Sequence, residues 1–131
     1  MEVKLNIPTF VKVDKIEPAK HCFNIYAKIV EAKHSEKETF KGPIKITEGV
    51  LADESGSVKF KFVGDNFEWI QVGKIVAVRN GLSSIIDEHI VIEADRFGRV
   101  SEESNVVIES ANLENNISKP AYVKKVSKKP N

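Results

Sequence analysis

Lys45-Ile46-Thr47-Glu48-Gly49-Val50-Leu51-Ala52, then Asp53-Glu54-Ser55-Gly56, then Ser57-Val58-Lys59-Phe60-Lys61-Phe62-Val63 occupies the middle of the chain, and the other segments are arranged around it. It reads as two strands joined by a tight turn. Asp53 suits the first turn position because its carboxylate can accept from the backbone two residues on, and Gly56 is expected to supply a positive φ that lets the chain reverse. After the turn, Val58, Phe60 and Phe62 alternate with Lys59, Lys61 and Val63. A period of two puts the rings on one face and the lysines on the other, so this strand lies between a core and something wet or negative.

Upstream, residues 21–33 form a long strand in which Phe23, Ile25, Ala27 and Ile29 belong to the core and Tyr26 and Lys28 share the opposite face. In the entry segment, residues 3–18, Val11, Val13 and Ile16 tuck against the sheet and Pro18 stops any regular run. Residues 34–43 are polar, lack a period and read as a loop. Phe40, beside Lys41, either stacks on a ligand base there or folds back over the end of the body. Downstream, Gly64-Asp65-Asn66 suits a helix cap and residues 67–70 one helical turn, with Trp69 in core packing or at a ligand. Residues 75–82, including Arg79, make a fourth strand and residues 89–94 a fifth. The loop between them carries Ile85 and Ile86, which either shape an apolar patch or fold inwards.

A chain of 131 residues with 41% hydrophobic residues suits one domain rich in strands. The lone Cys22 forms no internal disulfide, and no apolar run approaches the ~20 residues that span a membrane. Without a secretory layout at the N-terminus, the expected setting is nucleus or cytoplasm, not secretion, and the glycosylation match Asn116-Ile117-Ser118 reads as chance. Residues 1–100 hold 15 basic and 15 acidic side chains, whereas residues 119–131 hold five lysines and no acid. That tail either holds phosphates or is simply solvated. His21, His34 and His89 lie on different segments without zinc spacing, Cys22 and His21 point to opposite faces, and the glycines are singletons. The expectation is a non-enzyme with no cofactor and no metal.

The run from Glu48 to Lys59 resembles the central hairpin of the small single-OB-fold proteins that bind single-stranded DNA. These comprise simple archaeal binders, eukaryotic DNA-damage subunits and a plant and protist branch. Further landmarks fall in the family's order: Phe10-Val11-Lys12-Val13-Asp14-Lys15-Ile16-Glu17-Pro18, Val72-Gly73, Val78-Arg79-Asn80-Gly81 and Asp95-Arg96-Phe97-Gly98-Arg99-Val100. Asn115-Asn116-Ile117-Ser118 followed by Tyr122-Val123 resembles the ending of the plant and protist branch. The resemblance implies an all-β protein: a five-stranded antiparallel OB-fold barrel over residues 1–100, with a short helix between strands 3 and 4. A partly ordered extension would follow over residues 101–131.

Family positions that carry stacking aromatics fall here on Val63, Leu82 and Ile86, all aliphatic. Two functions follow. One is a single-stranded nucleic-acid binder, DNA ahead of RNA, using Tyr26, Lys28, Lys59, Lys61 and Arg79 on the strand face, Phe40 and Lys41 from a loop, and the positions Val63, Leu82 and Ile86. The other is an interaction module whose apolar patch of Val63, Leu82, Ile85 and Ile86 docks a partner subunit. Neither involves a membrane.

Overall fold

The computed structural model describes residues 10–18, 21–94 and 98–120. The side chains of His21 and Cys22, the segment Asp95-Arg96-Phe97 and the lysines from Lys124 onward lie outside the described residues. Among the described residues there are seven strands: β1 Phe10–Val11, β2 His21–Thr39, β3 Gly42–Ala52, β4 Ser57–Val63, β5 Ile75–Ile86, β6 His89–Glu93 and β7 Arg99–Glu102. They form one sheet in the order β1-β2-β3-β4-β6-β5-β7, and β2 also pairs with β5. All neighbours are antiparallel except β1 with β2 and β4 with β6.

The fold is therefore all-β, an OB fold whose sheet counts seven strands among the described residues, two more than the expectation named. The two additions are short and have a physical cause. β2 and β5 outrun their neighbours, which would leave Asn24 and Ile25 bare on one strand and residues 76–79 bare on the other. β1 pairs with the first stretch and β7 with the second, satisfying backbone groups that are costly to leave unpaired beside a core. The expected helix after β4 is also corrected. A single 3-10 turn, Asp65–Phe67, stands there without a side-chain cap. Phe67 must reach Phe62, whose ring centroid lies 5.2 Å away, and Ile70 must enter the core. The three-residue period of a 3-10 turn sets both on one side. Trp69 packs against the same core.

Residues 34–43 are not a loop. β2 and β3 stay paired from Lys28↔Ala52 to Thr39↔Gly42, so the hairpin runs on with Phe40 and Lys41 at its tip. Both faces of this arm are largely solvated, which removes the alternation that would have marked it as strand, while the backbone ladder forms whatever the side chains are. The β5–β6 connection shrinks likewise. β5 extends through Ile86, and the chain reverses over Asp87 and Glu88 alone, at φ 50° and 72°, the doubly positive conformation that matches the twist of a two-residue hairpin.

The strand phases are as the alternation predicts. Phe60, Phe62, Ile25, Ile29, Val78 and Ile92 are buried, and Val13 and Ile16 close the core from the entry segment. Two glycines do more than the sequence suggested. The β2–β3 register slips between Ile29 and Glu31, leaving Val30 as a bulge, and a Cβ on Gly49 would sit 1.9 Å from the Glu31 carbonyl oxygen. Gly56 does not take the expected positive φ. A Cβ there would meet the Asn115 carbonyl oxygen at 2.7 Å, so the position needs space, not conformational freedom. Phe62→Ala should destabilise the protein by about 3 to 5 kcal/mol through the cavity it leaves. Gly49→Ala should cost about 1 to 3 kcal/mol by overpacking the bulge. Urea denaturation of both variants checks the two values.

Candidate nucleic-acid interface

Cross-strand register decides which side chains meet on the outer face. Lys59 lies opposite Val50, which lies opposite Glu31; Lys61 lies opposite Glu48, which lies opposite Lys33. On its other edge β4 pairs Lys59 with Val91. These residues, with Ile86, Asp87 and His89, line a groove of about 400 Å³ between the root of the β2–β3 hairpin and the β5–β6 turn. Lys33, Lys59 and Lys61 bring three positive charges to it, and Glu31, Glu48 and Asp87 three negative ones. Among the described residues none of these lysines is in an ion pair. The floor between the charges is aliphatic, from Val50, Ile86 and Val91. Such a surface can hold an anionic chain while apolar contacts cover part of its bases.

Of the residues named from the sequence, the groove gathers Lys59, Lys61 and Ile86. Tyr26 lies parallel to Phe10 with ring centroids 3.9 Å apart and faces a separate hollow with Lys12, Glu54 and residues 106–110. Arg79 sits 5.5 Å from the Phe10 centroid and donates to Ser101 Oγ at 3.1 Å, with Glu103 at 3.9 Å. Its guanidinium thus holds β7 against β5. Lys28 is level with Ala52 and Ile75, closer to the β3–β4 turn than the groove rows. Phe40 is 96% exposed at the hairpin tip, does not fold back, and has the Lys41 ammonium 5.7 Å from its centroid. Val63 is exposed opposite Ile46. Leu82 and Ile86 share one side of β5, opposite Glu93 and His89, while Ile85 lies on the other side opposite buried Ile90.

The structure adds residues that sequence reasoning passed over. Lys33 and Glu48 enter the groove through register alone. His34, read as an isolated histidine, pins the hairpin root to the body. Its Nε2 donates to the Ile70 carbonyl at 2.8 Å, so in the neutral ring Nδ1 accepts from the Thr47 hydroxyl at 2.9 Å. The extension is a strap. Asn112 N–H donates to the Asp53 carbonyl, Ser57 N–H to the Asn115 carbonyl, and Ile117 N–H to the Ser57 carbonyl. Ser118 then closes the seam between β4 and β6. Its buried hydroxyl accepts from Lys59 N–H at 2.8 Å and donates to the Ile90 carbonyl at 2.6 Å. His89 Nδ1 donates to the Ser118 carbonyl at 2.6 Å. A serine in a polar, aperiodic segment carries no sequence signal for such a role.

Residues 16–102 match the family described as single-stranded DNA binding protein Ssb-like, OB fold. The chain is 24% identical over 94 residues to the single-stranded DNA binding protein Ssb of Saccharolobus solfataricus, covering 71% of this chain and 64% of that protein. It is 25% identical over 126 residues to an uncharacterized protein of Arabidopsis thaliana, covering 88% of this chain and 82% of that one. The solution structure of a hypothetical protein from Arabidopsis thaliana superimposes with a TM-score of 0.75 at 21% identity, covering 98% of this chain and 96% of its own.

Removing the Ser118 hydroxyl strands the Lys59 amide and the Ile90 carbonyl at the edge of the groove. Ser118→Ala should therefore destabilise the protein by about 1 to 3 kcal/mol. Hydrogen exchange at the Lys59 amide should accelerate more than exchange at the Phe62 amide, since only the first faces the strap.

Proposed function

We propose that this chain, which belongs to the Ssb-like OB-fold family of single-stranded DNA binding proteins, binds single-stranded DNA in the groove over β3, β4 and β6, without catalysis. The ring of pairings β2–β3–β4–β6–β5 and back to β2 is read as the five-stranded OB barrel, with β1 and β7 as additions to it. The observation that carries the reading is the set of lysines, Lys33, Lys59 and Lys61, without ion pairs among the described residues, on a face bounded by the two connections that border oligonucleotide sites in OB folds. Lys59 and Lys61 track the phosphates. Val50, Ile86 and Val91 lie under the bases, and Phe40 at the hairpin tip meets an unstacked base at one end.

The groove floor has no exposed aromatic platform, and stacking on one contributes about 1 to 3 kcal/mol per base. Charge therefore carries more of the affinity than in a binder with rings. The acids Glu31, Glu48 and Asp87 confine the positive potential to the lysine track. The aliphatic side chains at Leu82 and Ile86 favour one competing reading, a docking surface for a partner protein.

Fluorescence-anisotropy titrations of labelled DNA and RNA oligomers at several salt concentrations test the proposal. An unstructured single strand should bind more tightly than the same sequence as duplex, with affinity falling by about 0.7 log units per log unit of salt for each phosphate neutralised. Replacing Lys59 and Lys61 together by Ala should flatten the slope by up to about 1.4. Absence of binding at low salt, or a slope indifferent to the double substitution, refutes it. Pull-down with wild type and Ile86→Asp then examines the docking surface.

A further inference from the structure

His89 stands in the groove among the lysines, and its ring is held in one state of hydrogen bonding. A carbonyl has no proton to give, so the 2.6 Å contact between His89 Nδ1 and the Ser118 oxygen requires the proton on Nδ1. The neutral ring then carries its lone pair on Nε2, which has no hydrogen-bond partner among the described residues. The strap that supplies this carbonyl is itself locked through Ser118 to β4 and β6. We infer that His89 is a conditional phosphate contact: it takes up a proton at Nε2 when a nucleic-acid strand occupies the groove, so that binding is linked to pH. This rests on the single-strand reading above.

The charges around the ring set the sign. From β4, Lys59 and Lys61 face the same groove. Asp87 and Glu88 stand in the turn just before His89. Across the groove, Glu48 on β3 and Glu31 on β2 are balanced in part by Lys33. Lys119 follows Ser118 on the strap. A phosphate chain laid along Lys59 and Lys61 neutralises these cations and adds a negative acceptor. Both effects favour the imidazolium, and histidine is the side chain that changes charge between pH 5 and 8. An Nδ1 bond that persists in both protonation states spares the ring any reorientation on charging.

Anisotropy titrations with a labelled oligothymidylate from pH 8 to pH 6, at constant ionic strength, test the inference. Affinity should rise as pH falls, by up to about tenfold per pH unit where one proton is taken up. His89→Gln, whose amide can still donate to the Ser118 carbonyl, should flatten the profile. In the wild type, the NMR titration midpoint of the His89 ring should move upward when the oligomer is added. A profile that His89→Gln leaves unchanged, or a midpoint unmoved by the oligomer, overturns the inference while leaving single-strand binding intact. No binding at any pH overturns both.

Discussion

The Asp53 carboxylate is buried, and its two oxygens accept from the Val13, Ser55 and Gly56 amides and from the Ser55 hydroxyl. A buried charge is tolerable only when its lone pairs are saturated, and here the donors come from two parts of the chain. The Val13 amide brings in the entry segment, which plugs one end of the core with Val13 and Ile16. The Ser55 and Gly56 amides close the β3–β4 turn. Through its backbone carbonyl Asp53 also receives Asn112, the first fixed point of the strap. Entry, central hairpin and extension thus meet at one residue. The exposed Lys12–Glu54 pair beside it holds the Glu54 carboxyl below its usual range through the lysine's hydrogen bond, a small addition in so solvated a place.

From that anchor the groove follows by geometry. The bulge at Val30 and the bare backbone of Gly49 let β2 leave β5 after Lys28 and continue along β3 as a long arm. Without the slip, the rows beyond it would be displaced by one residue and their side chains exchanged between core and surface. With it, Glu31 and Lys33 come level with Lys59 and Lys61. The groove is accordingly mixed in charge, which suits a chain whose first hundred residues carry equal numbers of acids and bases. On the far side, Phe10 covers Tyr26, and Arg79 is occupied with Ser101 and Glu103. The cation and ring that looked suited to a ligand there hold two short strands in place.

The strap gives the extension a defined task. β6 meets β4 only at Lys59 and Phe60, so Ser57 and Val58 would present an open edge above the core. Asn116 bridges Ser57, Gly56 gives way to Asn115, and Ser118 spans the junction where the strap hands over to β6. Groove and strap share Lys59 and His89, so the order of one bears on the chemistry of the other.

What the sequence determined by itself was local. The alternation of Phe60 and Phe62 with Lys59 and Lys61 set the strand phase, because a period of two is a property of the backbone at each residue. The Asp53 turn was legible because a carboxylate bonds the amides beside it, and the resemblance to single-strand binders placed these pieces in an OB fold. Tertiary structure decided everything that depends on register. It put Glu31 and Lys33, not Tyr26 and Lys28, beside the lysines of β4. It turned residues 34–43 from an apparent loop into a paired arm, and gave Gly56 a steric reason in place of a conformational one. It also made Ser118 and His89 neighbours of Lys59. Such adjacency joins Ser118 to Lys59 across 59 positions, through hydrogen bonds and close approaches that leave no periodic mark on the chain.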